Sequence, residues 1–207
     1  MKDIWLAEQA RGSNAKNNDT DDGSHNDSKH RIESFNNDVY FYSEVSRTNN
    51  LTLNKKIDSL ATKYINFSNS LGMEEVPSIR LHINSYGGSV FAAFSSVDYI
   101  LNSHVPVVSI IEGCAASAAT LMSVVAPHRA MNKHSFMLIH QLSAGHWGKF
   151  EELKDDMANS ELLMKKIKGI YQEHTKIPKK KLEEILKRDL WWDADTCLEY
   201  GLVDEII

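Results

Sequence analysis

The chain has 207 residues, enough for one full domain core and too few for two comfortable ones. A hydrophobic fraction of 42%, a charged fraction of 25%, a net charge of -5 and a pI near 6.0 describe an ordinary globular protein without a basic footprint, which argues against nucleic acid or an anionic membrane as a partner. The two cysteines, Cys114 and Cys197, sit in apolar stretches; they make neither a disulfide framework nor a metal site and suit a reducing cytosol, so a cytoplasmic location is expected.

The first residues, MKDIWLAEQARGS, lack the basic head, apolar core and small-residue cleavage site of a signal peptide. Residues 11–37 are nearly devoid of large apolar side chains and dense in Asn, Asp, Ser, Lys and Gly, which predicts a flexible polar N-terminal segment over 1–37 and a folded domain over 38–207. VYFY from Val39 is a short β-prone run. The stretch that follows from Leu53 places Leu53, Ile57, Leu60, Tyr64, Phe67 and Leu71 at spacings of three and four, a helical stripe. SIRLHI (78–83) alternates as a strand, NSYGGS (84–89) reads as a turn, and Val90 to Leu101 as a helix.

Val105 to Ile111 is a β-branched run that Gly113 is expected to break, with an Ala-rich helix from about Ser117. The whole stretch Val105 to Pro127 is apolar enough to be mistaken for a membrane span. Glu112 and Gly113 near its middle favour a buried strand running into a buried helix. FMLIH (136–140) is a further strand, residues 149–174 a long amphipathic helix, KKKLEEILKRD a shorter one, and the chain closes on LVDEII. Strands alternating with helices long enough to cross over predict an α/β fold with parallel pairing, in which ligands gather at strand-to-helix turns.

Three such turns carry chemistry. In GCAASAA a buried strand gives way to a helix at Ser117, where unpaired N–H groups and the positive end of the helix dipole suit a nucleophilic hydroxyl and its oxyanion. Taken alone, this serine reads more simply as the helix cap. The Gly87–Gly88 pair after a strand could turn N–H groups inward as an oxyanion hole or a phosphate cradle, or could be an ordinary tight turn. His140, at the end of an apolar strand, has the setting of a general base and equally of a structural histidine. No histidine pair has zinc-helix spacing and no Cys-x-x-Cys exists, so no metal is expected.

Taken together and in order, these blocks resemble ClpP, the proteolytic subunit of the ATP-dependent caseinolytic proteases. INSYGGSV resembles the family's INSPGGSV, GCAASAA its GxAASMG, FMLIHQ its MIHQP, and KRDLWWDADTCLEYGLVDEII its closing RDxxxSAxEAxxYGLVDxVI. Ser117 and His140 are 23 residues apart, slightly fewer than in the family, and the 49 from His140 to Asp189 match it. The resemblance implies a ClpP/crotonase-like spiral of ββα units with a protruding handle helix. It implies a serine endopeptidase with Ser117 as nucleophile, His140 as base, Asp189 orienting the imidazole, and an oxyanion hole from the N–H groups of Gly88 and Ala118. Ser143 to Gly148 matches the handle strand and 149–174 the handle helix. Glu152 and Arg188 stand where the family makes ring–ring salt bridges.

Further implications of the resemblance are heptameric rings stacked as a tetradecamer, unfolded polypeptide as substrate, an AAA+ unfoldase as partner, and no cofactor, ATP being used only by that unfoldase. There are departures. Tyr86 replaces the proline before Gly-Gly, Ala118-Ala119 replaces Met-Gly, and Leu142 replaces a proline. Arg80 and His82 stand where bacterial relatives line the unfoldase-docking pocket with aromatic residues. These changes leave open a second reading, a non-catalytic or weakly active ring subunit with a structural role. An enoyl-CoA hydratase would share the spiral core, but the YGLVDEII ending and the His-Gln block argue against it. The altered tail and pocket would also suit a phage-borne copy.

Overall fold

A computed structural model describes residues 32–207; the expected flexible segment lies outside them up to residue 31. Its last part is ordered. Ile32–Phe35 forms strand β1, which turns at Asn36 and pairs antiparallel with β2 (Asp38–Phe41), so the folded body begins six residues before the expected boundary. Only Ile32 of β1 is buried, which is why composition alone hides the strand.

Helix α1 spans Arg47–Leu71. Ser46 caps its start by accepting from the Asn49 N–H at 3.3 Å, and Gly72, left-handed at φ 64°, closes it with bonds to Asn69 and Ser68 carbonyls. The helix starts one and a half turns earlier than the apolar stripe suggests. Its buried face opens with Asn50, whose amide donates to the Ala92 carbonyl at 3.1 Å and the Ser96 hydroxyl at 2.7 Å. A buried polar residue whose amide N–H groups bond across a helix interface does not register in a hydrophobic pattern, although its Oδ1 is left without a hydrogen-bond partner.

Strand β3 (Ile79–Ser85), helix α2 (Val90–Leu101), strand β4 (Val107–Ala116) and helix α3 (Ala118–Val124) follow. β4 does not break at Gly113. The glycine adopts φ 73°, donates its N–H to the Ser135 hydroxyl at 2.8 Å, and the strand continues to Ala116 after a register shift against β3. Then come β5 (His128–Met131), β6 (Phe136–Leu138), α4 (Phe150–His174), α5 (Lys179–Ile185), α6 (Ala194–Glu199) and β7 (Glu205–Ile206).

The strands form one sheet in the order β1-β2-β3-β4-β5-β7, with β6 also pairing β4, and every pair after β1–β2 is parallel. This is the α/β arrangement the resemblance implies. β4 is its centre, with β3 on one side, β5 along its first half on the other, and β6 along its second half. Val39, Phe41, Leu81, Ile83 and Ile111 of the sheet pack with Leu53 and Ile57 of α1 and with Met122 and Tyr171 in a fully buried core.

The apolar stripe of α4 divides between two environments. Ile167, Ile170 and Tyr171 are buried against the domain, whereas no residue from Phe150 to Lys166 is buried and Phe150 and Met157 are well exposed. The helix therefore projects, as a handle does. Residues 143–148, matched to a handle strand, form no strand within the chain. No helix among the described residues is long and apolar enough to cross a membrane, and Val105 to Pro127 divides into β4 and α3.

Candidate active site

Ser117 sits at the joint between the central strand and α3, in the cap position that sequence suggests, but it does not act as a cap. Its side chain makes no capping bond, and its backbone is at φ 55°, ψ -127°. A side chain other than glycine in that region costs on the order of 1–3 kcal/mol and persists only where surrounding bonds over-determine it. Three do so. The Ser117 N–H donates to the Leu138 carbonyl at 2.8 Å, and the Ser117 carbonyl accepts from the Thr120 N–H at 3.0 Å and from the Thr120 hydroxyl at 2.6 Å. Because Thr120 spends its proton on Ser117, the fully buried Tyr171 hydroxyl donates to Thr120 in turn. Burial holds the Tyr171 phenol well above its ordinary range, so it stays protonated as that role requires.

Strand β6 connects Ser117 to the other two residues. Ala116 lies in register with Leu138, so one step beyond on each strand places Ser117 beside the stretch that ends in His140. On its other side β6 is held by Trp192: Met137 and Trp192 exchange main-chain bonds of 2.9 and 2.7 Å, and the Gln141 N–H donates to the Leu186 carbonyl at 2.7 Å. These bonds bring the segment carrying Asp189 alongside His140. The imidazole Nδ1 stands 3.6 Å from an Asp189 carboxylate oxygen, with the histidine side chain 12% exposed and the aspartate 67%. Burial pulls the His140 pKa below its ordinary value, and the Asp189 charge offsets part of that. A neutral imidazole with one nitrogen turned to a carboxylate can accept a proton at the other.

The glycine turn closes the arrangement. Gly87, at φ 96°, presses so closely that a Cβ there would stand 2.6 Å from the Ala116 carbonyl oxygen and 2.7 Å from the Ser117 Cβ. Gly88, at φ 142°, lies in a bridge with Val45, in which the Gly87 carbonyl and Ser89 N–H bond Val45 at 2.8 and 2.7 Å. The Gly88 N–H therefore turns away from Val45. Ala118 opens α3, and the first N–H groups of a helix have no partner inside it. The structure thus gathers the β4–α3 joint, the glycine turn, His140 and Asp189 at the ends of neighbouring parallel strands.

Sequence reasoning singled out the Gly87–Gly88 pair and gave Gly88 the oxyanion role; the structure adds that the close approach to Ser117 is made by Gly87. Sequence reasoning missed Thr120 and Tyr171, 51 residues apart, as supports of the strained serine. Tyr86 stands over the turn and meets Trp191 edge to face, with ring centroids 6.4 Å apart and an interplanar angle of 82°.

The remaining candidates lie elsewhere. Glu152 accepts from the Lys149 N–H at 2.9 Å and so closes the start of α4, while Arg188 is exposed beside Asp189. Arg80 and His82 belong to a polar network on β2, β3 and β4. The His82 ring nitrogens face Asp38 at 2.9 Å and Glu112 at 2.8 Å, Tyr40 stacks on the ring at 4.6 Å, and Arg80 pairs with Asp38 at 2.6 Å. Tyr42 donates to Glu112, and burial together with that bond pushes its phenol up to about 12. Desolvation of Asp38 is outweighed by its bonds to Arg80 and His82, which hold its carboxyl below the usual range. Neither cysteine is in a disulfide, and no group of three or more His, Cys, Asp or Glu among the described residues is placed to hold a metal.

Comparison with known proteins gives one family. The model of the Clp protease family matches residues 35–207. The ATP-dependent Clp protease proteolytic subunit 1 of Chlamydia caviae is 36% identical over 129 residues, 60% of this chain and 68% of the relative. The ATP-dependent Clp protease proteolytic subunit of Porphyromonas gingivalis is 33% identical over 133 residues, 62% of this chain and 59% of the relative. That of Deinococcus radiodurans is 30% identical over 131 residues, 62% of this chain and 64% of the relative.

Proposed function

The chain belongs to the Clp protease family, and on that footing we propose that it is a serine-type endopeptidase in which Ser117, His140 and Asp189 act as a catalytic triad. The observation that carries the assignment is the backbone of Ser117: a strained serine, not used as a cap, buttressed by Thr120 and bonded to the strand that leads to His140.

In this reading the Ser117 hydroxyl attacks the carbonyl carbon of a peptide bond while His140 takes its proton at Nε2. The oxyanion that forms accepts from the N–H groups of Gly88 and Ala118. Asp189 faces Nδ1, fixes the tautomer, and stabilises the imidazolium formed during attack. The intermediate collapses, the carbon–nitrogen bond breaks, and the departing amine takes the proton from His140. Water, deprotonated by the same imidazole, then adds to the acyl carbon; the ester carbon–oxygen bond breaks and the imidazolium gives its proton to the departing Ser117 oxygen, releasing the acid. The scheme requires no metal or cofactor.

The projecting α4 and its exposed Phe150 and Met157 support assembly through this helix, as heptameric rings stacked in a tetradecamer, with Glu152 and Arg188 near the ring contact. Unfolded polypeptide is the substrate, cytoplasm the location, and an AAA+ unfoldase the source of substrate and the consumer of ATP. The Arg80–His82 network puts charge and hydrogen bonds where an apolar docking pocket would be, so the partner loop that fits it is polar.

One observation favours a weakly active ring subunit instead. The 3.6 Å between His140 and Asp189 is too long for a hydrogen bond. Such contacts commonly tighten when substrate binds. Cleavage of an unfolded protein by the wild type and not by Ser117→Ala supports the peptidase; equal, background-level cleavage by both supports the structural subunit.

A further inference from the structure

The assignment of Asp189 leaves a positioning problem, because its carboxylate is 67% exposed and has little packing to fix it. Main-chain bonds fix its segment at either end. Leu186 accepts from Gln141, and Trp192 is paired with Met137. Between them, Arg188 is held in a turn by its bond to the Ile185 carbonyl at 2.8 Å, and Leu190 is 60% exposed. Trp191 reaches from this segment to Tyr86, which it meets edge to face. Tyr86 directly precedes Gly87, which backs onto Ser117, and lies two residues before Gly88. The contact therefore joins the acid segment to the glycine turn that backs onto Ser117.

We propose that Tyr86 and Trp191 form an aromatic clamp that positions Asp189 against His140 by tying its segment to the glycine turn. The inference rests on the triad reading. Both rings are partly exposed, 42% for Tyr86 and 36% for Trp191, so neither is a core residue whose place is explained by burial. An edge-to-face pair contributes free energy beyond the area it buries, enough to select one arrangement of an otherwise lightly held segment. Tyr86 stands where a proline would have fixed the turn, and the clamp restores rigidity by a side-chain contact in place of a backbone constraint. Both act through Asp189 and the turn.

The test is a double-mutant cycle on the full assembled protein, reading peptide hydrolysis against pH for the wild type, Tyr86→Ala, Trp191→Ala, the double variant and Trp191→Phe. Each alanine variant is expected to lower kcat about three- to tenfold with a smaller change in KM, the range an aromatic pair supports. The double variant should be no worse than the more impaired single, and Trp191→Phe should recover most of the loss. Asp189 is the charge that acts on His140, and it raises the imidazole pKa against the lowering by burial; a loosened Asp189 therefore moves the acid limb of kcat/KM to lower pH. That midpoint does not depend on how much of the protein is folded, so partial unfolding cannot imitate the shift. Additive losses in the double variant, an unmoved acid limb, or a phenylalanine variant as impaired as the alanine one would each overturn the clamp. Fluorophosphonate labelling of the assembled wild type separates the two levels: without labelling the triad reading fails, and with labelling but an additive cycle only the clamp fails.

Discussion

The Ser117 N–H donates to the Leu138 carbonyl at 2.8 Å, so the candidate nucleophile is bonded to the strand whose continuation carries the proposed base, His140. The neighbouring residue on that strand, Met137, is bonded on its other side to Trp192, three residues past Asp189. One three-residue strand thus sets the spacing of three side chains that are up to 72 residues apart in the chain.

The buttress behind Ser117 separates two conservative substitutions. Tyr171→Phe removes a hydroxyl whose loss leaves Thr120 still bonded to Ser117, and should cost about 1 kcal/mol in urea unfolding. Thr120→Val removes both bonds and leaves the buried Tyr171 hydroxyl unsatisfied, and should cost about 2–3 kcal/mol with a larger fall in kcat. Equal effects from the two would contradict donation from Tyr171 to Thr120 and from Thr120 to Ser117.

Gly87→Ala places a Cβ inside the Ala116 carbonyl and Ser117 side chain, on a backbone that alanine resists. It should abolish peptidase activity and destabilise the fold by more than about 2 kcal/mol. Gly145→Ala, whose Cβ would meet nothing within 4 Å, should change stability by less than about 0.5 kcal/mol. Thermal unfolding of the pair, with activity measured beside it, decides.

Burial holds the His140 pKa below the ordinary 6.5, so the imidazole is already neutral at pH values where a solvent-exposed one is charged. The acid limb of kcat/KM should accordingly have its midpoint below 6.5. Asp189→Asn removes the charge that raises the pKa, so it should move the limb further down while lowering the plateau. A limb that rises in pH in the Asn variant would contradict the sign.

His82 stands between Asp38 and Glu112 with both ring nitrogens engaged. His82→Ala leaves two carboxylates without that donor, and should cost about 1–3 kcal/mol. Part of this loss should be recovered by Glu112→Gln, which removes one of the two charges. Thermal unfolding of the single and double variants at low and high salt checks it.

Much of this arrangement could be read in the sequence because it lies in contiguous blocks. The alternation of β3, the boundaries of α2 and α4, and the residues around Ser117, His140 and Asp189 are local patterns. What could not be read depends on distant pairing. β1 has one buried residue and takes its form from β2. β4 passes through Gly113 because Ser135, 22 residues on, receives its N–H. The cap reading of Ser117 fails only once φ and the bonds to Leu138 and Thr120 are seen. The same holds for Asp38 and Glu112, whose meeting at His82 follows from the register of three strands and from no motif.

If the triad reading holds, Ser117 is an activated nucleophile in an assembled peptidase. Labelling size-separated fractions of the full-length protein with a fluorophosphonate probe measures this most directly. Labelling is expected in a ring-sized fraction, mapping to Ser117 and absent from a Ser117→Ala variant that elutes in the same position. Ring-sized wild-type protein that stays unlabelled, or labelling that survives Ser117→Ala, would contradict it.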